Sequence, residues 1–290
     1  MLLSRCWYPT STRPMGQSVL IRKAAIALTV AAFCCPSLSY CAPEDQSQIP
    51  QHLVLARDLL ANVAPNQNSY NHTERISIPN DHSSNGYSMY ADCSGLAIAL
   101  LDLAGSPARS HMKMPSHHHR PLAEDFVKSI RSESGFERIN EITEIKAGDM
   151  IAWEFEWGLD KKIAKDTGHV MLIDSLPTLV ENQLPYVPNT RQYEVYVIDS
   201  SKNYHDPADT RLQKDGTRIY GLGKGRIRLY VTSNNEIIGF ANNTEKAIFQ
   251  PLDPNWSNYT SGKSKIGAIG RPMQTSANRP ALAIKSSVDH

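Results

Sequence analysis

Cys93 stands where a polar loop turns into an apolar run, in Tyr90-Ala91-Asp92-Cys93-Ser94-Gly95-Leu96 followed by the hydrophobic stretch to Leu103. A thiol at a helix start lies beside free backbone N–H groups and the positive end of the helix dipole, both of which favour the thiolate. Further on, Gly168-His169-Val170-Met171-Leu172-Ile173 reads as a strand that opens with a histidine, and the strand 193–198 runs into Asp199. In that order Cys93, His169 and Asp199 describe a nucleophile, its base and the group that orients the base. Asp199 is expected to accept Nδ1–H of His169, which turns Nε2 toward the thiol. Ser200, Ser201, His205 and Asp206 lie within a few residues and compete for the third role. Gly168 is small enough to let a neighbouring chain or ligand come close. Each residue also has a plainer reading: a buried cysteine acting as a small hydrophobe, a structural histidine, an aspartate capping a turn.

The elements that must carry these groups follow from periodicity. Leu53, Leu55, Ala56, Leu59, Leu60 and Val63 recur at near-helical spacing between Pro50 and Pro65, which predicts a short amphipathic helix over 50–63. Residues 66–90, rich in Asn, Ser, His and Tyr, read as a loop bordering a site. The helix 93–104 is apolar almost throughout and stops at Gly105-Ser106-Pro107; it should be buried against a sheet with its first turn exposed. Residues 106–120 read as a loop and 121–131 as a helix with Pro121 at its first position. Strands are predicted over 149–153, 169–174, 193–198, 226–231 and 266–269, separated by turn residues. Helices followed by strands predict an α+β fold with a mostly antiparallel sheet. Gly221-Leu222-Gly223-Lys224-Gly225 reads as a tight hairpin turn and not as a phosphate loop, because no helix follows it. Asp206, Asp209 and Arg211 are expected to tie their loop with ion pairs. Trp153, Phe155 and Trp157 read as sheet packing.

The chain has 290 residues and a formal net charge of +1. Arg22 and Lys23 precede the apolar run 24–33, and Ser37-Leu38-Ser39 offers small residues for cleavage, so residues 1–39 read as a secretory signal peptide, with Met15 a possible true start. Bulky Phe33 and Tyr40 before Cys34 and Cys41 argue against a lipoprotein signal. Residues 40–49 read as a linker, 50–272 as one catalytic domain and 273–290 as a loose tail. Cleavage would remove Arg5, Arg13, Arg22 and Lys23 and leave a weakly acidic, exported protein with no membrane span, and no support for nucleic-acid binding. Only Cys41 and Cys93 would remain, which provides no disulfide framework. A free Cys93 in an oxidising compartment makes most sense if its reactivity is used. No cofactor is implied. No metal is implied either, since His117, His118 and His119 are adjacent loop residues without a Cys or acidic partner at ligand spacing.

Taken together, Asp92-Cys93-Ser94-Gly95-Leu96, Gly148-Asp149-Met150-Ile151-Ala152-Trp153 and Gly168-His169-Val170 resemble the NlpC/P60 superfamily of papain-like cysteine peptidases, over roughly residues 50–272. The resemblance implies a papain-like core of N-terminal helices on a mostly antiparallel sheet, with Cys93 as nucleophile, His169 as base and Asp199 on the strand that supplies the third polar group. It implies that Asp92 and Ser94 help to hold substrate and that Tyr90 or Tyr87 supports the oxyanion side. The implied partners are bacterial cell-wall stem peptides, cut at bonds involving D-amino acids. Segments 106–120, 154–168 and 232–265 look like additions around the cleft. An amidase or acyl transferase with the same thiol, and a non-catalytic wall-binding protein with a buried, unreactive Cys93, are the alternative readings.

Overall fold

Helix α1 (Gln51–Asn62) forms where Leu53, Ala56 and Leu59 recur on one face, and all three are buried. The computed structural model describes residues 49–73, 75–79, 86–113, 119–155, 168–252 and 265–274, with only the backbone of Phe155 and Lys265. The segment read as an export signal, most of the expected linker and tail, His117, His118 and Trp157 lie outside the described residues. Among the described residues no helix is long and apolar enough to cross a membrane.

The stretch 66–90, expected to be a loop, carries three short strands, β1 (Asn68–Ser69), β2 (Arg75–Ser77) and β3 (Ser88–Tyr90). They form a small sheet in the order β1-β3-β2. Helix α2 (Cys93–Leu103) follows directly. Residues 106–120 contain a further short helix, α3 (Ala108–His111), and α4 (Ala123–Arg131) begins two residues after Pro121. The backbone N–H of Leu122 donates to Asp125 Oδ2 at 2.9 Å. Glu124 and Asp125 in the first turn of α4, with Lys128 and Arg131 in the last, complement the helix dipole.

The remaining strands build the main sheet: β4 (Phe136–Ile139), β5 (Met150–Phe155), β6 (Gly168–Ile173), β7 (Thr178–Val180), β8 (Thr190–Ser201), β9 (Gly221–Thr232), β10 (Ile237–Ala241), β11 (Gln250–Pro251) and β12 (Lys265–Pro272). Their order is β11-β10-β9-β8-β6-β5-β12-β4, with β7 beside β8, and every pairing is antiparallel. The fold is therefore α+β with a largely antiparallel sheet, as the element order predicts. Alternation along the strands separates two cores. Met150, Ala152, Val170 and Leu172 join Leu53, Leu96, Leu100 and Phe126 of the helices. Ile151, Trp153, Met171 and Ile173 join Ile227, Leu229 and Phe240 on the opposite face.

Two expectations are corrected here. The glycine run 221–225 is not a turn: it is the first half of β9, in continuous register with β8 from Ser201↔Gly221 to Thr190↔Thr232. Strand β9 is long because the glycines make room for side chains lying across it, as described below. The first turn of α2 is also not exposed, since Cys93, Ser94 and Gly95 are all buried while the far end carries the exposed Leu103. The ends of β6 and β8 and the side chain of Arg120 cover it.

Gly168 opens β6 with φ +136°, and a Cβ there would come 1.8 Å from Trp153 O. This close approach sets the register in which Trp153 faces His169. Gly168→Ala should therefore cost roughly 2–4 kcal/mol through backbone strain and overlap, read as a lower denaturant midpoint with an unchanged slope.

Candidate active site

The start of α2 is fixed by charge and hydrogen bonds. Asp92 is the N-cap: its Oδ1 accepts from the backbone N–H of Gly95 at 2.8 Å and from the Ser94 hydroxyl at 3.2 Å, the usual device for satisfying orphan donors in a first turn. Its Oδ2 accepts from Arg120 Nη2 at 2.7 Å and faces His72 Nδ1 at 2.7 Å. Arg120 also donates through Nη1 to Ser94 Oγ at 2.6 Å. Burial alone would push the Asp92 carboxyl up, but the Gly95 N–H, Arg120 and His72 together hold it below the ordinary carboxylate value. Asp92 and Ser94, expected to face substrate, are thus engaged within the chain, where they lock the residues on either side of Cys93.

His169 is mounted on β6 opposite Trp153, whose ring lies 4.9 Å from the imidazole and packs in turn on Phe240 at 4.8 Å. Its Nε2 lies 2.5 Å from Asp199 Oδ2. This reverses the expected arrangement of the ring, because Asp199 engages Nε2 and not Nδ1, while Cys93 interacts with the same imidazole. Strand β8 pairs with β6 and brings Asp199 to the His169 ring, and α2 packs against both strands. Burial opposes a charged ring here, yet the charge of Cys93 and the bonds to Asp199 and Cys93 push His169 up to about 10. The residues therefore form a contact chain, Cys93 to His169 to Asp199, with the imidazole bridging two acceptors.

Three of the four neighbours that competed for Asp199's place are occupied elsewhere. Ser200 donates to Ala91 O at 2.6 Å, tying the end of β8 to the loop before Cys93. The Ser201 hydroxyl accepts from the Asn203 N–H at 3.0 Å. Asp206 accepts from the backbone of Ala208 at 2.7 Å and of Arg226 at 2.5 Å. His205 does reach the site, on the far side of the carboxylate, with Nε2 3.1 Å from Asp199 Oδ2. Tyr87 donates to the Asp58 carboxylate of α1 at 3.0 Å, and Tyr90 donates to Gln67 Oε1 at 2.6 Å beneath the Arg75 guanidinium. The hydroxyls of both candidate oxyanion tyrosines are thus held by other side chains.

His169, Asp199 and His205 offer ligand atoms within 4.8 Å of one another. A divalent cation fits this set poorly, because the fully buried Arg211 guanidinium already donates to Asp199 Oδ1 and a second buried cation would meet it across one carboxylate. Sequence reasoning missed Arg120 and His72, lone residues in polar loops with no periodic signal. It assigned Arg211 to its loop alone, although the nearby glycine run was a sign that something lies across β9.

Fold and site together define an α+β protein with a buried Cys–His–Asp contact chain between the start of a helix and two neighbouring strands. No family model matches the chain, and no solved structure matches it. It is 34% identical over 204 residues to the uncharacterized protein R653 of Acanthamoeba polyphaga mimivirus, an alignment covering 66% of this chain and 87% of that protein. The chain belongs to the same family as this viral protein.

Proposed function

We propose that the protein is an exported cysteine peptidase with a papain-like NlpC/P60 core, hydrolysing peptide bonds of bacterial peptidoglycan stem peptides through an acyl-enzyme. The observation that carries this reading is the imidazole of His169 held between Cys93 and Asp199. Cys93, as thiolate, attacks the scissile carbonyl carbon and forms an S–C bond, while backbone N–H groups at the start of α2 stabilise the oxyanion. Protonated His169 delivers its Nδ1 proton to the leaving nitrogen as the C–N bond breaks, leaving a thioester. Water, deprotonated by His169, then attacks the thioester, releases the acid and restores the pair. Asp199 holds the ring throughout and keeps the Nε2 proton on His169. The motifs around Cys93 and His169 support the substrate class.

Incubation with purified muropeptides of varied wall types, with products identified by mass spectrometry, tests the reading. Cleaved stem peptides are the expected result. Amine-linked products that rise with added amine would reassign the same thiol to acyl transfer. Absence of cleavage and of cross-linking across all wall types would remove this substrate class.

A further inference from the structure

Asp199 sits in a buried polar cradle that the steps above do not use. Arg211 Nη2 donates to Asp199 Oδ1 and, at 2.8 Å, to Asp199 O. Nη1 donates to Asp209 Oδ2 at 2.8 Å and Nε to Gly221 O at 3.0 Å. Asp209 in turn accepts from the backbone N–H groups of Arg211 and His205, both at 2.9 Å. The guanidinium lies across β9 because alternate glycines of that strand leave a trough: a Cβ at Gly223 would meet Arg211 Cγ at 2.5 Å, and one at Gly225 would meet Asp209 Oδ2 at 2.5 Å. Gly223 is also the register partner of Asp199. The glycine run thus builds a seat for one buried arginine directly beside the aspartate.

We propose that Arg211 is a positioning residue that fixes the Asp199 carboxylate in its ionised form and orientation, so that Asp199 accepts the Nε2 hydrogen of His169 without taking the proton. This rests on the reading of Cys93 and His169 as a reactive pair. The groups facing Asp199 are His169 from β6, His205 and Arg211 from the segment between β8 and β9, and Cys93 through His169. Arg211 occupies Oδ1, and the two imidazoles share Oδ2. The carboxylate therefore cannot turn without breaking a charged hydrogen bond. His205 Nδ1 lies 2.5 Å from Asn242 O, and a carbonyl oxygen can only accept, so Nδ1 donates there and anchors the second imidazole. Without the guanidinium, burial would favour the neutral acid. A protonated Asp199 would then donate to His169 Nε2, and the imidazolium facing Cys93 would be lost.

The test measures the pH dependence of Cys93 alkylation by iodoacetamide in the full chain and in Arg211→Met, Arg211→Lys and Gly223→Ala variants, with circular dichroism and thermal unfolding reporting the fold. In Arg211→Met the rate profile is expected to move toward alkaline pH, slowing alkylation about ten-fold or more below its midpoint, the equivalent of one unit or more. Arg211→Lys retains the charge but cannot reach Asp199, Asp209 and Gly221 O together, and should fall between Met and wild type. If Arg211→Met does not fold, Gly223→Ala, which preserves every charge while displacing the guanidinium, should show the same alkaline movement. A folded Arg211→Met or Gly223→Ala protein with the wild-type profile would overturn the proposal. A wild-type Cys93 that titrates like glutathione would instead overturn the reactive pair itself, so the two failures are distinguishable.

Discussion

His169→Ala and Cys93→Ala are each expected to reduce turnover by about 10⁴-fold or more, since removing one member of a unit that transfers protons and forms the covalent bond costs nearly as much as removing all of it. The two variants differ in a second readout. In His169→Ala the thiol remains but loses the charge partner and hydrogen bond that the imidazole supplies. Its alkylation near neutral pH should slow at least ten-fold, toward that of an unassisted thiol. Steady-state kinetics on a muropeptide and timed labelling of Cys93 check both halves. Labelling of His169→Ala at the wild-type rate would mean that the imidazole does not activate the sulfur.

Asp199→Ala should damage the fold as well as the chemistry. Asp199 and Arg211 are both fully buried, and removing the carboxylate leaves the guanidinium with one of its two buried counter-charges, Asp209. Breaking a buried pair on one side costs about 3–5 kcal/mol, to be read from denaturant or thermal unfolding. Asp199→Asn keeps the shape and is the better kinetic probe, with kcat/KM expected to fall by on the order of 10²–10⁴-fold. The pH dependence carries the same signature. Despite its burial, Asp199 is held well below the ordinary 3.8 by Arg211, His205 and His169. Its contribution is therefore complete above that ordinary value and is lost as pH falls through the folded one. His169 is raised from 6.5 to about 10 by Cys93 and Asp199, against the opposing pull of burial. Its contribution is complete below 6.5 and is lost as pH rises toward 10. Unfolding free energy measured against pH should therefore decline on the alkaline side over that interval, and the decline should be smaller in His169→Ala.

The positions of the candidate site were legible because each sits at a change of pattern. Cys93 marks the point where a polar loop becomes an apolar helix, and His169 and Asp199 flank the apolar runs 170–173 and 195–198 of two antiparallel strands. The orientation of the imidazole was not legible, since it depends on which edge of the ring β8 approaches. Short strands such as β4, β7 and β11 have too few residues to show a period. The run 221–225 was misread because glycine usually signals a turn, whereas here the missing side chains accommodate Arg211 and Asp209 packed across a straight strand. Arg120 was invisible for a related reason: its bonds to Asp92 and Ser94 are set by tertiary approach and not by local spacing.

In the proposed mechanism the sulfur of Cys93 attacks a stem-peptide carbonyl. Wild-type protein mixed with purified muropeptides, quenched in acid during turnover and analysed by intact-mass and peptide-level mass spectrometry, tests it most directly. An acyl adduct on Cys93 that is absent from the Cys93→Ala protein is the expected result, together with loss of product formation in that variant. Product release by Cys93→Ala at the wild-type rate, with no adduct on Cys93 in the wild type, would contradict it.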